Sequence, residues 1–384
     1  MLGHMWKYFS DFWIFIISYI RCTIQNFQTC DRFCCSLYMR KTLEGLSILA
    51  IHVDDICTAV SSMTEMVKLK VQLGQFFNLV DLGELKWLLG IAITQNCPVR
   101  NISLCQGAYI KSITKHLHLK DAHPVATPLY PHVILLKDLG PTSDEEKLWM
   151  KKILYLTAIG SIMYAATTTC PDVAFAVQHL SQFNSNPGYA HWTAVQCTIW
   201  YLYATRNRTL ILGSLNITLM GWVDLDWGAC IDSRHSISGY AFSLGSGLIS
   251  WSSKKQPTVV TSSTEAEYSA SCHGVKEAVW LRNLLKSLGF VQTNMSRIHC
   301  DNVGLNILPH DPSFHAQMKH IDIQHHYVWE CVEASNISCI YIPTHDNLAN
   351  CLTKPLTCPQ FQDLTVRMGM FNDLPTWGGV LEYK

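Results

Sequence analysis

The run LAIHVDDICTAV, Leu49 to Val60, sets two adjacent carboxylates, Asp54 and Asp55, inside an apolar stretch. Burying like charges side by side is unfavourable unless something compensates. Two arrangements satisfy that constraint: a tight turn, where aspartate is common, and a metal site carried on a hairpin. In either, Ser47 to Val60 is expected to form two strands meeting at Asp54-Asp55.

The flanking pattern extends this reading. Met66, Leu69, Leu73 and Phe76 recur every three to four residues and predict a helix. Val80 to Gln95 predicts a turn and a strand, and Gly107 to Leu119 a second helix, broken by the three prolines of HPVATPLYP. After the polar GPTSDEEK, helices are expected over Leu154–Thr168, Pro171–Phe183 and His191–Thr205, with Pro171 in a first turn. From Ile217 the pattern changes. ITLMGWVD is a strand, and GYAFSLGSGLISWSS alternates across Gly-Ser-Gly as a hairpin. A long helix then ends at Gly289, followed by RIHCD as a strand, HHYVWECVEA as a helix, ISCIYI as a strand and NLANCLTK as a short helix. Strands first, then strands alternating with helices, define an α/β (α+β) mixed sheet.

Composition bounds the classes. With 384 residues, 48% hydrophobic and 15% charged, the chain forms cores and is not disordered. A formal net charge of zero provides no global basic excess for a nucleic-acid partner. The sixteen cysteines are scattered, with no paired CxxC knuckles, which argues against a zinc ribbon and fits reduced thiols inside the cell. The apolar Phe12–Ile20 is too short for a membrane span and is expected to be a strand or buried helix.

In the C-terminal half, acids fall at element ends. Asp224 ends a strand, Glu267 opens the long helix and Asp301 ends the next strand, while Asn350 lies in the last short helix. Acids converging at one end of a sheet can hold two divalent ions about 3.5–4 Å apart, and magnesium suits carboxylate oxygens. Each also has a plainer reading. Glu267 stands three after Thr264, as in a capping box. Asp301 fits a turn or cap, and Asp224 and Asp226 fit a solvated strand face.

The blocks GWVDLDWGACIDSRHSISGYAFSLGSGLISWSSKKQPTVVTSSTEAEYSA, IHCDN, KHIDIQHH and YIPTHDNLANCLTK, in that order, resemble the ribonuclease H domain of copia-type LTR-retrotransposon Pol polyproteins. Upstream, HVDDI resembles the Tyr-Val-Asp-Asp box of the same family's reverse transcriptase. VDLGELKWLLGI, ISLCQGAYIKSI and VATPL resemble the segments after it. IGSIMYAATTTCPDVAFAVQHLSQF resembles the connection to the nuclease, with Cys170 where arginine is usual.

The resemblance implies four parts: a reverse-transcriptase palm and thumb remnant over 1–145, a helical connection over 146–215, a ribonuclease H-like domain over 216–358 and a tail over 359–384. It implies hydrolysis of the RNA strand of RNA–DNA hybrids with Mg2+, Mn2+ being an alternative. Asp224, Glu267 and Asp301 match the first three metal-binding acids, Asn350 replaces the fourth, and His345 stands where a proton carrier is expected. Asp54 and Asp55 match palm metal ligands, with His52 replacing tyrosine. The first palm acid lies upstream of the matched blocks, so DNA synthesis by this chain is not expected unless Asp11 or Asp31 substitutes. The alternative is an inactive remnant or nucleic-acid-binding module from a decayed element. Expected partners are hybrid nucleic acid and other Pol or Gag products, with no membrane, in a cytoplasmic particle or the nucleus.

Overall fold

A computed structural model describes residues 28–29, 37–43, 45–119, 123–213, 217–259, 263–301 and 322–372; side chains 28–29, 263–265, 267, 322–326 and 329 are not among those described. Phe12–Ile20, Asp11 and Asp31 lie outside the described residues. The chain groups into two compact units. One holds the described residues up to Leu85 together with Trp280–Val291; the other holds Lys86–Val279 and the residues from Gln292 onward.

In the first unit, β1 (Gln28–Thr29), β2 (Leu37–Thr42), β3 (Gly45–His52) and β4 (Asp55–Val60) form an antiparallel sheet in that order. The expected hairpin is present: His52 pairs with Asp55 across a turn at Val53-Asp54. Leu49 and Ile51, two apart on β3, face one side and pack with Tyr38, Leu69 and Leu73. The last two are four apart on α1 (Met63–Gly74), which Ser62 caps by accepting from the Glu65 amide. Glu65 is buried and paired with Arg40 at 2.7 Å, and the Ser47 hydroxyl donates to the same carboxylate oxygen. A buried pair of this kind, broken on one side, leaves an uncompensated charge, so it pins α1 to the sheet.

The second unit contains two five-stranded sheets. The first is antiparallel throughout. β5 (Trp87–Leu88), β6 (Ile91–Asn96) and β7 (Asn101–Cys105) are joined across more than a hundred residues by β8 (Thr209–Leu212). Between β7 and β8 come α2 (Gly107–His116), α3 (Asp144–Met150), α4 (Tyr155–Thr168), a 3-10 turn at Pro171–Val173, α5 (Ala174–Ser181) and α6 (Tyr189–Ala204). The second sheet has β9 (Leu219–Asp226) at its centre. β10 (Ile237–Leu244) and β11 (Leu248–Lys255) extend it antiparallel on one side. After α7 (Ser263–Ser287), β12 (Ser296–Cys300) lies parallel to β9; β13 (Ile337–Tyr341), following α8 (Asp322–Glu333), lies parallel to β12. This is the mixed sheet that the sequence predicts.

Helices α4, α5 and α6 are part of the same core as this sheet. Ile162, Val177, Val195 and Leu202 join Trp222, Ala241 and Leu352 in one buried cluster. The Trp251 indole donates to the Ala166 carbonyl at 2.7 Å. Residues that the sequence placed in a tail pack there too. α9 (Cys358–Arg367) buries Phe361 and Leu364, and β14 (Met370–Phe371) pairs with β8. The intervening turn bonds both sheets: the Ile211 amide donates to the Gly369 carbonyl and the Leu248 amide to the Met368 carbonyl.

Candidate metal-binding carboxylate site

Asp224 lies near the end of the central strand and is 3% exposed. Its parallel neighbour carries the next acid. The last pair between β9 and β12 is Trp222 with His299, and two residues further along each chain stand Asp224 and Asp301. Burial pushes the Asp224 carboxyl up to about 6, and the charge of Asp301 adds to that rise. Two groups oppose it. Lys354 brings its ammonium to 3.4 Å of Oδ2, and the Thr353 hydroxyl donates to the same oxygen. Asp226, also raised by burial, is held down by Lys354 as well.

The loop that delivers Thr353 and Lys354 is fixed from below. A 3-10 turn at Leu348–Leu352 is capped by Asn347, whose amide donates to the Val223 carbonyl at 2.9 Å. Opposite Asp224 in the ladder stands Gly239, and a Cβ there would meet Leu352 Cβ at 2.8 Å and Thr353 Cγ2 at 2.9 Å. Only glycine allows the turn to sit on the sheet at that distance. Gly274 does the same for α7: an added Cβ would lie 2.5 Å from Val223 Cγ2. The start of α7 is tied to the hairpin by Gln256, which donates to both the Ser238 hydroxyl and the Ala266 carbonyl.

The sequence-predicted residues separate into groups. Asp224 and Asp301 come together. Glu267 follows Ala266 on α7, and its side chain lies outside the described residues. Asn350 is fully buried; its Nδ2 donates to the Thr344 carbonyl, while its Oδ1 has no partner. His345 is 76% exposed beside Asp346 on a loop anchored by Arg367. Asp54 and Asp55 are exposed on the first unit's hairpin, next to Val53 at φ 51°, a left-handed conformation that β-branched residues rarely adopt. Among the described residues no group of three His, Cys, Asp or Glu side chains is placed to hold a metal ion. The described donors nonetheless fit a hard divalent cation. Asp224 is a buried carboxylate whose proton affinity is raised by burial and further by the nearby Asp301 charge, and Asn350 offers an orphaned oxygen on the adjoining turn. Sequence reasoning missed Thr353, Lys354 and Gly239. The Leu-Thr-Lys ending marks the family resemblance but carries no role until Asp224 is placed beside it.

The central strand of a mixed sheet thus carries an acid near its end, and its parallel neighbour brings a second. Residues 10–131 match the family model described as reverse transcriptase (RNA-dependent DNA polymerase). The chain is 36% identical to the retrovirus-related Pol polyprotein from transposon TNT 1-94 of Nicotiana tabacum, over 88% of this chain and 26% of that one. It is 33% identical to the Pol polyprotein from transposon RE2 of Arabidopsis thaliana, over 90% and 23%. It is 30% identical to a putative transposon Ty5-1 protein of Saccharomyces cerevisiae, over 63% and 77%. A solved RNase H1 in complex with an RNA/DNA hybrid aligns at 13% identity and TM-score 0.27, over 35% of this chain and 94% of that one. The chain belongs to the copia-type retrotransposon Pol polyproteins. It spans about a quarter of the curated plant polyproteins it matches. No helix among the described residues is long and apolar enough to cross a membrane.

Proposed function

We propose that the ribonuclease H-like sheet hydrolyses the RNA strand of RNA–DNA hybrids, using divalent metal held by Asp224, Asp301 and Glu267. The observation that supports this best is the nearness of Asp224 to Asp301: burial raises the Asp224 carboxyl to about 6, and the charge of Asp301 adds to that rise. Bound there, magnesium or manganese supplies an activated water and neutralises the leaving oxygen. The chain's own part is to hold the acids. Thr353 orients Asp224, Gly239 admits the turn that carries Thr353, and Gln256 sets the start of the helix bearing Glu267. Asp301 is partly exposed, and the exposed His345, beside Asp346, would carry a proton to or from the product. In the first unit, Asp54 and Asp55 are the metal-holding acids of a palm hairpin. The division into palm and thumb (1–145), connection (146–215), nuclease (216–358) and tail (359–384), and association with other Pol or Gag products, belong to the same proposal.

The test is a magnesium titration of cleavage on a labelled RNA–DNA hybrid, with double-stranded DNA as control. Cleavage of the RNA strand alone, abolished by Asp301→Asn, is the expected result. A second reading, hybrid binding without cleavage in a decayed element, is favoured by the neutral Asn350. Retention of the hybrid with no product at any magnesium concentration would establish it instead.

A further inference from the structure

We propose that Lys354 is a built-in counter-ion which occupies the Asp224 carboxylate when no metal is bound and must be expelled for metal to bind, so that it sets the metal requirement of the site. The proposal rests on the reading of Asp224 and Asp301 as metal ligands and adds a regulator to it. Three observations support it. The ammonium lies 3.4 Å from Asp224 Oδ2, the same oxygen that Thr353 binds, so a metal approaching that atom meets a cation already there. Asp224 is 2% exposed at its side chain, and without a cation its charge would be buried and uncompensated. Lys354 is 30% exposed at its side chain, while Thr353 beside it is fully buried. The backbone is therefore fixed and the flexible four-carbon stem is free to swing its charge into water.

Asn350 sharpens the competition. A neutral amide in place of an acid leaves one negative charge fewer to attract metal, while the resident cation keeps its full charge. Lys354 also faces Asp226, so the ammonium has a second carboxylate to move toward when Asp224 is taken.

The experiment measures Mn2+ binding to the full chain at pH 8, by the electron paramagnetic resonance signal of free Mn2+. Lys354→Met and Lys354→Gln are expected to bind Mn2+ roughly three- to tenfold more tightly than the original chain, as removal of one unit charge a few ångströms away predicts. Lys354→Arg, which keeps the charge, is expected to stay close to the original. Asp301→Asn separates the two claims. If it abolishes binding in the original chain but the neutral Lys354 variants bind no more tightly, the counter-ion proposal fails and the metal reading stands. If neither the original chain nor the neutral variants bind Mn2+, both fail. A neutral variant that folds only with Mn2+ present supports the proposal, and one that stays unfolded at saturating Mn2+ overturns it.

Discussion

Asp224 is held in the folded chain with its carboxyl raised from 3.8 to about 6, chiefly by burial. The sign of the consequence follows from proton linkage. The folded state binds its proton more tightly than the unfolded chain does, so the associated stability is complete below about 4, falls through the interval up to about 6, and is gone above it. Asp224→Asn is expected to remove that dependence, so its melting temperature relative to the original chain should climb between pH 4 and 7 and level off beyond. A difference that is flat across that range would mean the carboxyl is not held as described. Asn350 gives a second expectation. Its Nδ2 donates to the Thr344 carbonyl, which an aspartate cannot do. Asn350→Asp is therefore expected to destabilise the chain by about 1–3 kcal/mol in a chelator, the range for leaving a buried group unsatisfied. Magnesium should restore part of that loss if Asn350 adjoins the metal. Melting curves with and without magnesium decide it, and equal losses in both would place Asn350 outside the site.

Among the elements, the hairpin at Asp54-Asp55, the helices over 155–168 and 189–204, and the sequence from β9 to β13 were legible because each has a local cause: a period of two or of 3.6, a turn residue, a cap. The contact between the 348–352 turn and β10 was not legible, because nothing local distinguishes Gly239 from any strand glycine. Its reason is a neighbour more than a hundred residues away. Gly239→Ala is expected to push Leu352 and Thr353 off the sheet, at about 1–3 kcal/mol for an overpacked interior position. Because Thr353 orients Asp224, the same variant should weaken metal binding. Gly274→Ala crowds Val223 on the other face and serves as a comparison. Thermal melting together with Mn2+ titration separates the two effects. A Gly239→Ala chain that loses stability but keeps its affinity would show that the turn supports the fold without positioning the acid.

At the scale of the whole chain, the segment after Pro355 shows what a linear reading leaves out. Phe361, Leu364, Thr365 and Met368 fall three, four and seven residues apart, a helical stripe that is easily passed over in ten residues with no flanking pattern. The function of that stripe lies in the tertiary structure. Phe361, Leu364 and Met368 enter the cluster shared by α4 to α6 and the mixed sheet, Met368 accepts from the Leu248 amide, and the next residues bond β8 of the other sheet. Full burial of such side chains is worth roughly 1.5–3 kcal/mol each. Three of them approach the ~5–15 kcal/mol that separates a folded domain from its unfolded chain. A chain ending at Pro355 retains Asp224, Asp301, Thr353 and Lys354, every described group of the site. It is nevertheless expected to lose cooperative unfolding of the second unit and to bind Mn2+ weakly, because the turn carrying Thr353 would lose the helix packed behind it. The single variant Leu364→Ala is the milder form of the same test, with an expected cost of about 2–5 kcal/mol for a fully buried leucine. Differential scanning calorimetry of both chains checks the expectation. If the shortened chain melts as sharply and as high as the original, α9 and β14 are an appendage and the core ends with the 348–352 turn.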